Sequence, residues 1–569
     1  VAFLGLGPRA GGFRVWICVL GVAGSLYAGQ YWEERRHPRS ARGGRVWWGG
    51  LFGGMALVVL AAHGMLFLLA WEAFAVSGYF LITLDRSSAA VRRAGWLYLA
   101  ASHAGTLMLF AFFTFLAERS GGWALGPELG DVAGVAPLFW LALLAFGIKA
   151  GMFPLHIWLP SAHANAPSHV SAIFSGVAIK MGIYGIVRFS GWLPVPPGAG
   201  WVIVAAGVAS AVLGVAFALG QHDFKRLLAY HSVENIGIIL MGVGFGVVAA
   251  EGGRPAWGAL ALVAGLWHVW NHGLFKGLLF LGAGAVIHAT GTREMSRLGG
   301  LWRRMPWTAG LFAVGAVAIS GLPPLNGFIS EWLLFSGLFE SAVLEVRWAW
   351  VMAGGAIALA ATGALALACF VKVCGIVFLG APRGESARRA HECGGTMRGA
   401  MGLLAAGCVA LGLAPVAFWP AMARAASCWG YAWPGGGVPD GLSALGACNV
   451  MLVIAGAGAA WALWAVARWR GMAVGPTWDC GYAAPSARMQ YTAGSFASLL
   501  VAAFAWILRP VRHEERPGAV LPAGASREDH VPETVLDYVL APMARAVLRV
   551  ARVVRQTQRG RVQDYLLYL

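Results

Sequence analysis

The sequence predicts an all-α polytopic membrane protein of about fourteen transmembrane helices, with two inverted five-helix repeats and broken helices. Three observations predict it. Of 569 residues, 59% are hydrophobic and only 12% charged, at a mean hydropathy of +0.67, a balance typical of polytopic membrane proteins rather than soluble domains. Apolar runs of roughly 17–25 residues, each enough to cross a hydrocarbon core, recur along almost the whole chain. The arginines gather in the short loops between those runs, as the positive-inside rule expects.

The elements follow in order. Residues 1–45 give an N-terminal helix and a loop that Arg35, Arg36, Arg39, Arg42 and Arg45 mark as cytoplasmic. Arg9 and Arg14 precede an ordinary span, and nothing there resembles a cleavable signal. Residues 46–190 form a first repeat: two crossings within 46–84, then 94–117, 136–153 and 169–189. Residues 201–380 form a second, at 201–220, 227–249, 257–289, 307–342 and 350–379, with the fourth interrupted at Pro323 and Pro324. Residues 381–508 supply C-terminal helices, with crossings at 400–424, 444–467 and 493–508. An Arg-rich amphipathic tail occupies 509–569, and its Arg545, Arg549, Arg552 and Arg559 fall near one helix face. That tail reads equally as a helix on the membrane surface or one docked on a neighbouring subunit. Charge and parity agree through residue 380. The crossing at 493–508 then puts the Arg-rich tail outside, so its side stays open.

The first repeat starts inside and the second outside, which relates them by inversion. Charged residues fall in matching places. Second helices carry Glu72 and Glu234, third helices His103 and Lys276, fourth helices Lys149 and Glu331, fifth helices Lys180 and Lys372. Lys149 and Glu331 each lie beside a proline break.

Composition also excludes. A net charge of +17 and a pI near 10.0 report loop orientation rather than nucleic-acid binding. The eight cysteines form no C-x-x-C pair, which argues against an iron–sulfur or zinc site. No Walker loop or dinucleotide fingerprint appears. The chain reads as free of cofactors, and no nucleophile, metal or nucleotide constellation suggests a free-standing enzyme.

Lysine is used sparingly. Of 42 basic side chains only Lys149, Lys180, Lys225, Lys276 and Lys372 are lysine. Four sit in apolar spans, and Lys225 stands at a helix entrance. Arginine keeps its proton in essentially any environment, whereas a desolvated lysine can lose it. An ionisable group within a membrane span is costly and marks an ion or proton path. Lys372, near the end of its span, reads equally as a snorkelling side chain. Glu72, in LLAWEAFAVSGYF, is a membrane carboxylate; at a few ångströms from Lys149 its attraction is about 4 kcal/mol at an effective dielectric near 20. A broken helix frees backbone groups that only protein or water can satisfy. Lysine and break together predict a hydrated gap at mid-membrane.

His268, His272 and Lys276, at i, i+4 and i+8 in WHVWNHGLFKGLLF, share one helix face, and imidazole both accepts and donates near neutral pH. They form a relay candidate, with Glu331 a possible exit carboxylate. His103 reads as a satisfied interior hydrogen bonder. His156, His163 and His169 surround a loop break without ligand-like spacing, so a metal is not favoured.

With these residues in place, the chain resembles the antiporter-like proton-channel subunits of respiratory complex I and of Mrp cation/proton antiporters over residues 46–380. The resemblance rests on Trp71–Glu72, KAGMFPLHIWLPSAHANAPSHVSA, FKRLLAYHSVENIG, HGLFKGLLFLGAGAVIHATGTREM and GLPPLNGFISEW. It implies that Glu72 and Lys149 form the input pair, that Lys180, His272 and Lys276 are central, and that Glu331 is terminal. TWDCGYAAPSARMQYTAGSFAS at 477–498 and QRGRVQDYLLYL at 558–569 are similar to the membrane subunit of formate hydrogenlyase and related energy-converting [NiFe]-hydrogenases. That branch implies iron–sulfur clusters and a nickel–iron centre on partner subunits, a peripheral electron-transfer arm, other membrane subunits, and residence in the cytoplasmic membrane of a bacterium or archaeon. Glu72 arrives earlier than the family pattern places it, which implies that about two leading helices are absent.

Two other readings stay open: a subunit of a sodium or other cation/proton antiporter without redox chemistry, and a membrane anchor whose buried charges are relics. The candidate proton-transfer residues are therefore Glu72, Lys149, Lys180, Glu234, His268, His272, Lys276, Glu331 and Lys372.

Overall fold

A backbone crossing hydrocarbon must satisfy its own N–H and C=O groups, and a helix does so within one segment. In a computed structural model, residues 11–126, 136–191, 193–252, 255–344, 348–427, 437–471, 486–487, 489–515 and 526–557 are described. They are overwhelmingly helical. The first helices are α1 (Gly11–Tyr31), α2 (Ala41–Leu60), α3 (Gly64–Ile82) and α4 (Ala89–Ser120). Then come α5 (Ala136–Ala150), α6 (Trp158–Asn165), α7 (Ser168–Ile173) and α8 (Lys180–Ser190), with one wider π turn (Phe174–Ala178) joining the last two. The chain continues through α9 (Ala199–Leu219), α10 (Phe224–Glu251), α11 (Pro255–Thr290), α12 (Pro306–Ile319), α13 (Asn326–Leu344) and α14 (Ala349–Val377). After the short α15 (Glu385–Arg388) follow α16 (Gly395–Leu413), α17 (Pro415–Ser427), α18 (Leu442–Arg470), α19 (Ala493–Ala503) and α20 (Ala505–Leu508).

Among the described residues, 11 spans are long and apolar enough to cross a membrane, and α5, α12 and α19 are shorter apolar helices. Among the described residues, full-length crossings thus number fewer than the expected fourteen or so. The reason is local. At 15 and 14 residues, α5 and α12 stop short because the chain breaks just beyond each. Pro154 follows α5, and Pro323 and Pro324 follow α12; proline lacks the N–H that a continuing helix needs.

The chain divides into two compact units between Ala497 and Ser498. In the first, α10, α11 and the α7–α8 segment are buried on almost every side, while α18 is largely exposed, with only Leu442, Gly446 and Asn449 buried near its start. Distant polar anchors fix the central helices. The Tyr27 hydroxyl donates to the Leu281 carbonyl at 2.8 Å, joining α1 to α11. The buried Arg188 guanidinium donates to the Ala61 carbonyl at 2.8 Å, tying α8 to the turn between α2 and α3. The second unit departs from the all-α expectation. Strands β1 (Val511–Glu515) and β2 (Ser526–His530) pair antiparallel, with Arg512 opposite Asp529. Within the amphipathic tail expected over 509–569, α21 spans Ala541–Thr557; Arg559 and the motif at 558–569 lie outside the described residues, as do residues 477–485 and 488 of the motif at 477–498.

The breaks position the charged residues, and close helix approach holds them there. Lys149 ends α5, and Lys180 begins α8. The two helices touch backbone to backbone at Gly182, where an added Cβ meets Ala150 N and Phe146 O at 2.5 Å. Gly182→Ala is therefore expected to cost about 1–3 kcal/mol through overpacking. Gly354→Ala, in open space on α14, serves as the control. Thermal unfolding of the detergent-solubilised protein checks this, and equal midpoints for the two variants contradict it.

Candidate functional site

The titratable side chains fall into two groups, one on α3–α5 and one between α8, α10, α11 and α13. In the first, Lys149 is 3% exposed. Its ammonium donates to the Tyr98 hydroxyl at 3.1 Å and lies 3.9 Å from the Phe74 ring centroid, with Trp71 at 5.9 Å. Glu72 is near enough to act on that charge electrostatically, but the expected close pair is corrected. The Glu72 carboxylate instead meets His103 Nε2 at 3.0 Å and accepts from the Thr106 hydroxyl at 3.0 Å. An aromatic box fills the space beside the ammonium, and the Tyr98 hydroxyl takes the bond that a carboxylate was expected to take. His103, expected in the interior, has a side chain 47% exposed. Its other nitrogen is 2.9 Å from the Leu99 carbonyl.

The second group is linked by hydrogen bonds and by one electrostatic step. The π turn opens the α7–α8 backbone, and the Lys180 ammonium donates to the Ser175 carbonyl it exposes. The Ser175 hydroxyl is 2.7 Å from that of Ser232 on α10. Ser232 donates to the Leu228 carbonyl at 3.4 Å, and the same oxygen accepts from the Lys276 ammonium of α11. Lys180 and Lys276, ninety-six positions apart in sequence, are thus joined through two hydroxyls and two carbonyls.

From Lys276 the polar groups run on toward α13. Glu234, one helical turn past His231 on α10, is an electrostatic partner of Lys276 and pairs with His231 Nδ1. Asn235 donates to Glu234 at 3.3 Å, and its oxygen lies 3.0 Å from His268 Nε2. His268 Nδ1 is 2.9 Å from the Ser330 hydroxyl, to which Asn271 also donates at 2.8 Å. Glu331, next in sequence, lies against Gly321 in the break between α12 and α13. An added Cβ at Gly321 meets the carboxylate oxygen at 2.3 Å, and its φ of +63° suits glycine. Every member from Lys180 to Ser330 is buried.

Other expected residues are placed differently. His268 and His272 share a face of α11, with ring centroids 6.4 Å apart. Neither ring nitrogen of His272 meets a protein partner among the described residues. Lys372 does not snorkel. It is fully buried and donates to the Leu219 and Gln221 carbonyls at 2.6 and 2.9 Å, where a cation complements the C-terminal end of α9. The described bonds of Lys372 do not join it to the Lys180–Ser330 chain. Sequence reasoning missed Ser175, Ser232, Asn235, Asn271 and Ser330. These neutral polar residues are common in any helix, and only the packing shows that they meet.

Such a chain can hand protons along hydroxyls, imidazoles and amines, and it is costly to interrupt. His268→Leu strips the Asn235 side-chain oxygen of its His268 partner, at about 1–3 kcal/mol for a buried unsatisfied group. His268→Gln retains hydrogen-bonding capacity. The Leu variant is expected to unfold at the lower temperature in detergent, and equal midpoints contradict the network.

With this geometry in place, relatives are informative. The family profile described as NADH:quinone oxidoreductase/Mrp antiporter, TM matches residues 61–359, from just before α3 into α14. Hydrogenase-4 component B of Escherichia coli (strain K12) is 42% identical over 406 residues, 70% of this chain and 60% of the relative. Formate hydrogenlyase subunit 3 of the same organism is 36% identical over 385 residues, 66% of this chain and 61% of the relative. The chain thus spans less than two thirds of these two relatives. A chain of the membrane-bound sulfane sulfur reductase, an archaeal respiratory membrane complex, superposes with a TM-score of 0.78 at 24% identity, covering 99% of this chain and 87% of that one. It shares the fold. The matched profile and the apolar helices it spans make the chain a multi-pass integral membrane protein of the NADH:quinone oxidoreductase/Mrp antiporter transmembrane family.

Proposed function

We propose that this chain is the proton-translocating, cofactor-free subunit of a redox-driven membrane complex of the energy-converting hydrogenase or complex I kind. The observation that carries the reading is the series of buried polar groups inside an apolar bundle: hydrogen bonds link Lys180 through Ser175 and Ser232 to Lys276, Lys276 and Glu234 interact electrostatically, and hydrogen bonds run on from Glu234 through Asn235 and His268 to Ser330. Buried amines such as Lys180 and Lys276 and a buried carboxylate such as Glu234 are costly inside an apolar bundle and mark ion or proton paths. The lysines supply sites that gain and lose charge, and the hydroxyls and imidazoles link them. Lys149, within electrostatic reach of Glu72, is the input side. Glu331, in the second helix break, is the output side.

The inverted-repeat reading belongs to the same proposal. Two features support it: broken helices at α5–α6 and α12–α13, and charged residues of the same rank in each half. Inversion brings two broken helices to a shared midplane, where unwound backbone is tolerated beside a polar cavity. Partner membrane subunits, a peripheral electron-transfer arm with iron–sulfur clusters and a nickel–iron centre, and residence in the cytoplasmic membrane of a bacterium or archaeon complete it. The names of the hydrogenase-4 and formate hydrogenlyase relatives favour this over an antiporter without redox chemistry.

The test is proton flux by the purified assembly in vesicles. Lys276→Ala is expected to lower coupled proton movement roughly a hundredfold, the low end of what a positioned proton-transfer group contributes. Metal analysis of the same preparation is expected to find iron and nickel on other subunits. Full flux in Lys276→Ala refutes the path, and sodium-driven proton exchange without any electron donor moves the assignment to an antiporter.

A further inference from the structure

His163 belongs to no expected relay, yet it lies between the central lysines and a loop-borne arginine, Arg293. It lies on α6, 1% exposed, and neither ring nitrogen meets a protein partner among the described residues. A buried imidazole without partners is costly, so this position is held for a reason other than packing. Its ring stacks on Phe280 with centroids 5.3 Å apart, and the Lys276 ammonium lies 5.3 Å from the centroid of that same ring. Lys180, Lys225, Lys276 and His272 all lie within electrostatic reach of it, from α8, α10 and α11. The remaining neighbours are neutral: Phe174 of the π turn, and Ser171, whose hydroxyl donates to the His163 carbonyl.

Outward from His163 the polar groups rise in steps toward the surface. The Lys225 ammonium donates to the Ala166 carbonyl, just past the end of α6. Asp223, which caps α10 by accepting from the Lys225 and Arg226 amides, pairs with Arg293 at 2.6 Å. Arg293 in turn donates to the Ala164 carbonyl at 2.6 Å. Side-chain exposure falls from 43% at Arg293 and 21% at Asp223 to 3% at Lys225 and 1% at His163, then to none at Lys276.

We propose that His163 is a proton-transfer residue which, with Lys225, forms a side branch from the Arg293 end of the bundle to Lys276. The branch rests on the proton-translocation reading above. A proton from solvent passes Lys225, is taken at one imidazole nitrogen while the other releases its own, and arrives at the Lys276–His272 cluster. No bond between heavy atoms changes, and charge balances at each exchange.

The test uses the full-length chain with its co-purifying subunits, in vesicles loaded with a pH-sensitive dye. A valinomycin–potassium diffusion potential drives proton uptake. His163→Ala and His163→Gln are each expected to lose about tenfold or more of that flux, as removal of one proton-transfer group does. Added imidazole is expected to restore part of it in the Ala variant, with thermal midpoints near that of the unsubstituted protein. Undiminished flux in His163→Gln overturns the branch. So does a loss that imidazole fails to relieve and that comes with a lowered midpoint, because His163 is then only a packing residue. Lys276→Ala separates the two readings. If it abolishes flux while His163→Gln does not, the branch alone fails; if it too retains flux, the proton path itself fails.

Discussion

Burying a polar group away from water without a partner is the constraint on which this structure turns. In an apolar bundle each unsatisfied donor or acceptor costs on the order of kilocalories, and an isolated ammonium costs more. The chain meets that cost in two ways. Some groups are closed off locally, as Lys372 is on the carbonyls at the end of α9. Others are satisfied by one another in series, as from Lys180 to Ser330. Only the second arrangement gives protons somewhere to go.

The two helix breaks belong to the same logic. A helix that ends inside the bundle exposes carbonyls that its own backbone no longer satisfies. The π turn before Lys180 does this on a small scale, offering the Ser175 carbonyl to the amine while the Ser175 hydroxyl reaches Ser232 on α10. The break between α12 and α13 makes room for the Glu331 carboxylate against Gly321. Irregular backbone and ionisable side chain therefore appear together, each lowering the cost of the other.

Much of this was legible before any coordinates, because lysine inside an apolar run is a strong signal in a chain that writes arginine elsewhere. The positions of Lys149, Lys180 and Lys276 and the proline breaks beside Lys149 and Glu331 follow from that signal alone. The pairing of Glu72 was not legible. It depends on how α3 and α4 rotate against each other, which puts His103 and Thr106 on the carboxylate and leaves Lys149 to Tyr98. Ser175, Ser232 and Asn235 were invisible for a different reason: no one-dimensional pattern distinguishes a serine that bridges two helices from one that bonds its own turn. The hairpin of β1 and β2 escaped notice because VRHEE and SREDH carry no apolar alternation, and apolar alternation is the usual mark of a strand.

With only five lysines in the chain, the protonation of each amine can be followed by nitrogen NMR of lysine-labelled protein in vesicles. When an imposed proton gradient drives flux, the account predicts that the Lys180 and Lys276 signals interconvert between ammonium and neutral amine while Lys372 stays fixed. If all five remain ammonium throughout sustained proton flow, the buried chain does not carry the protons.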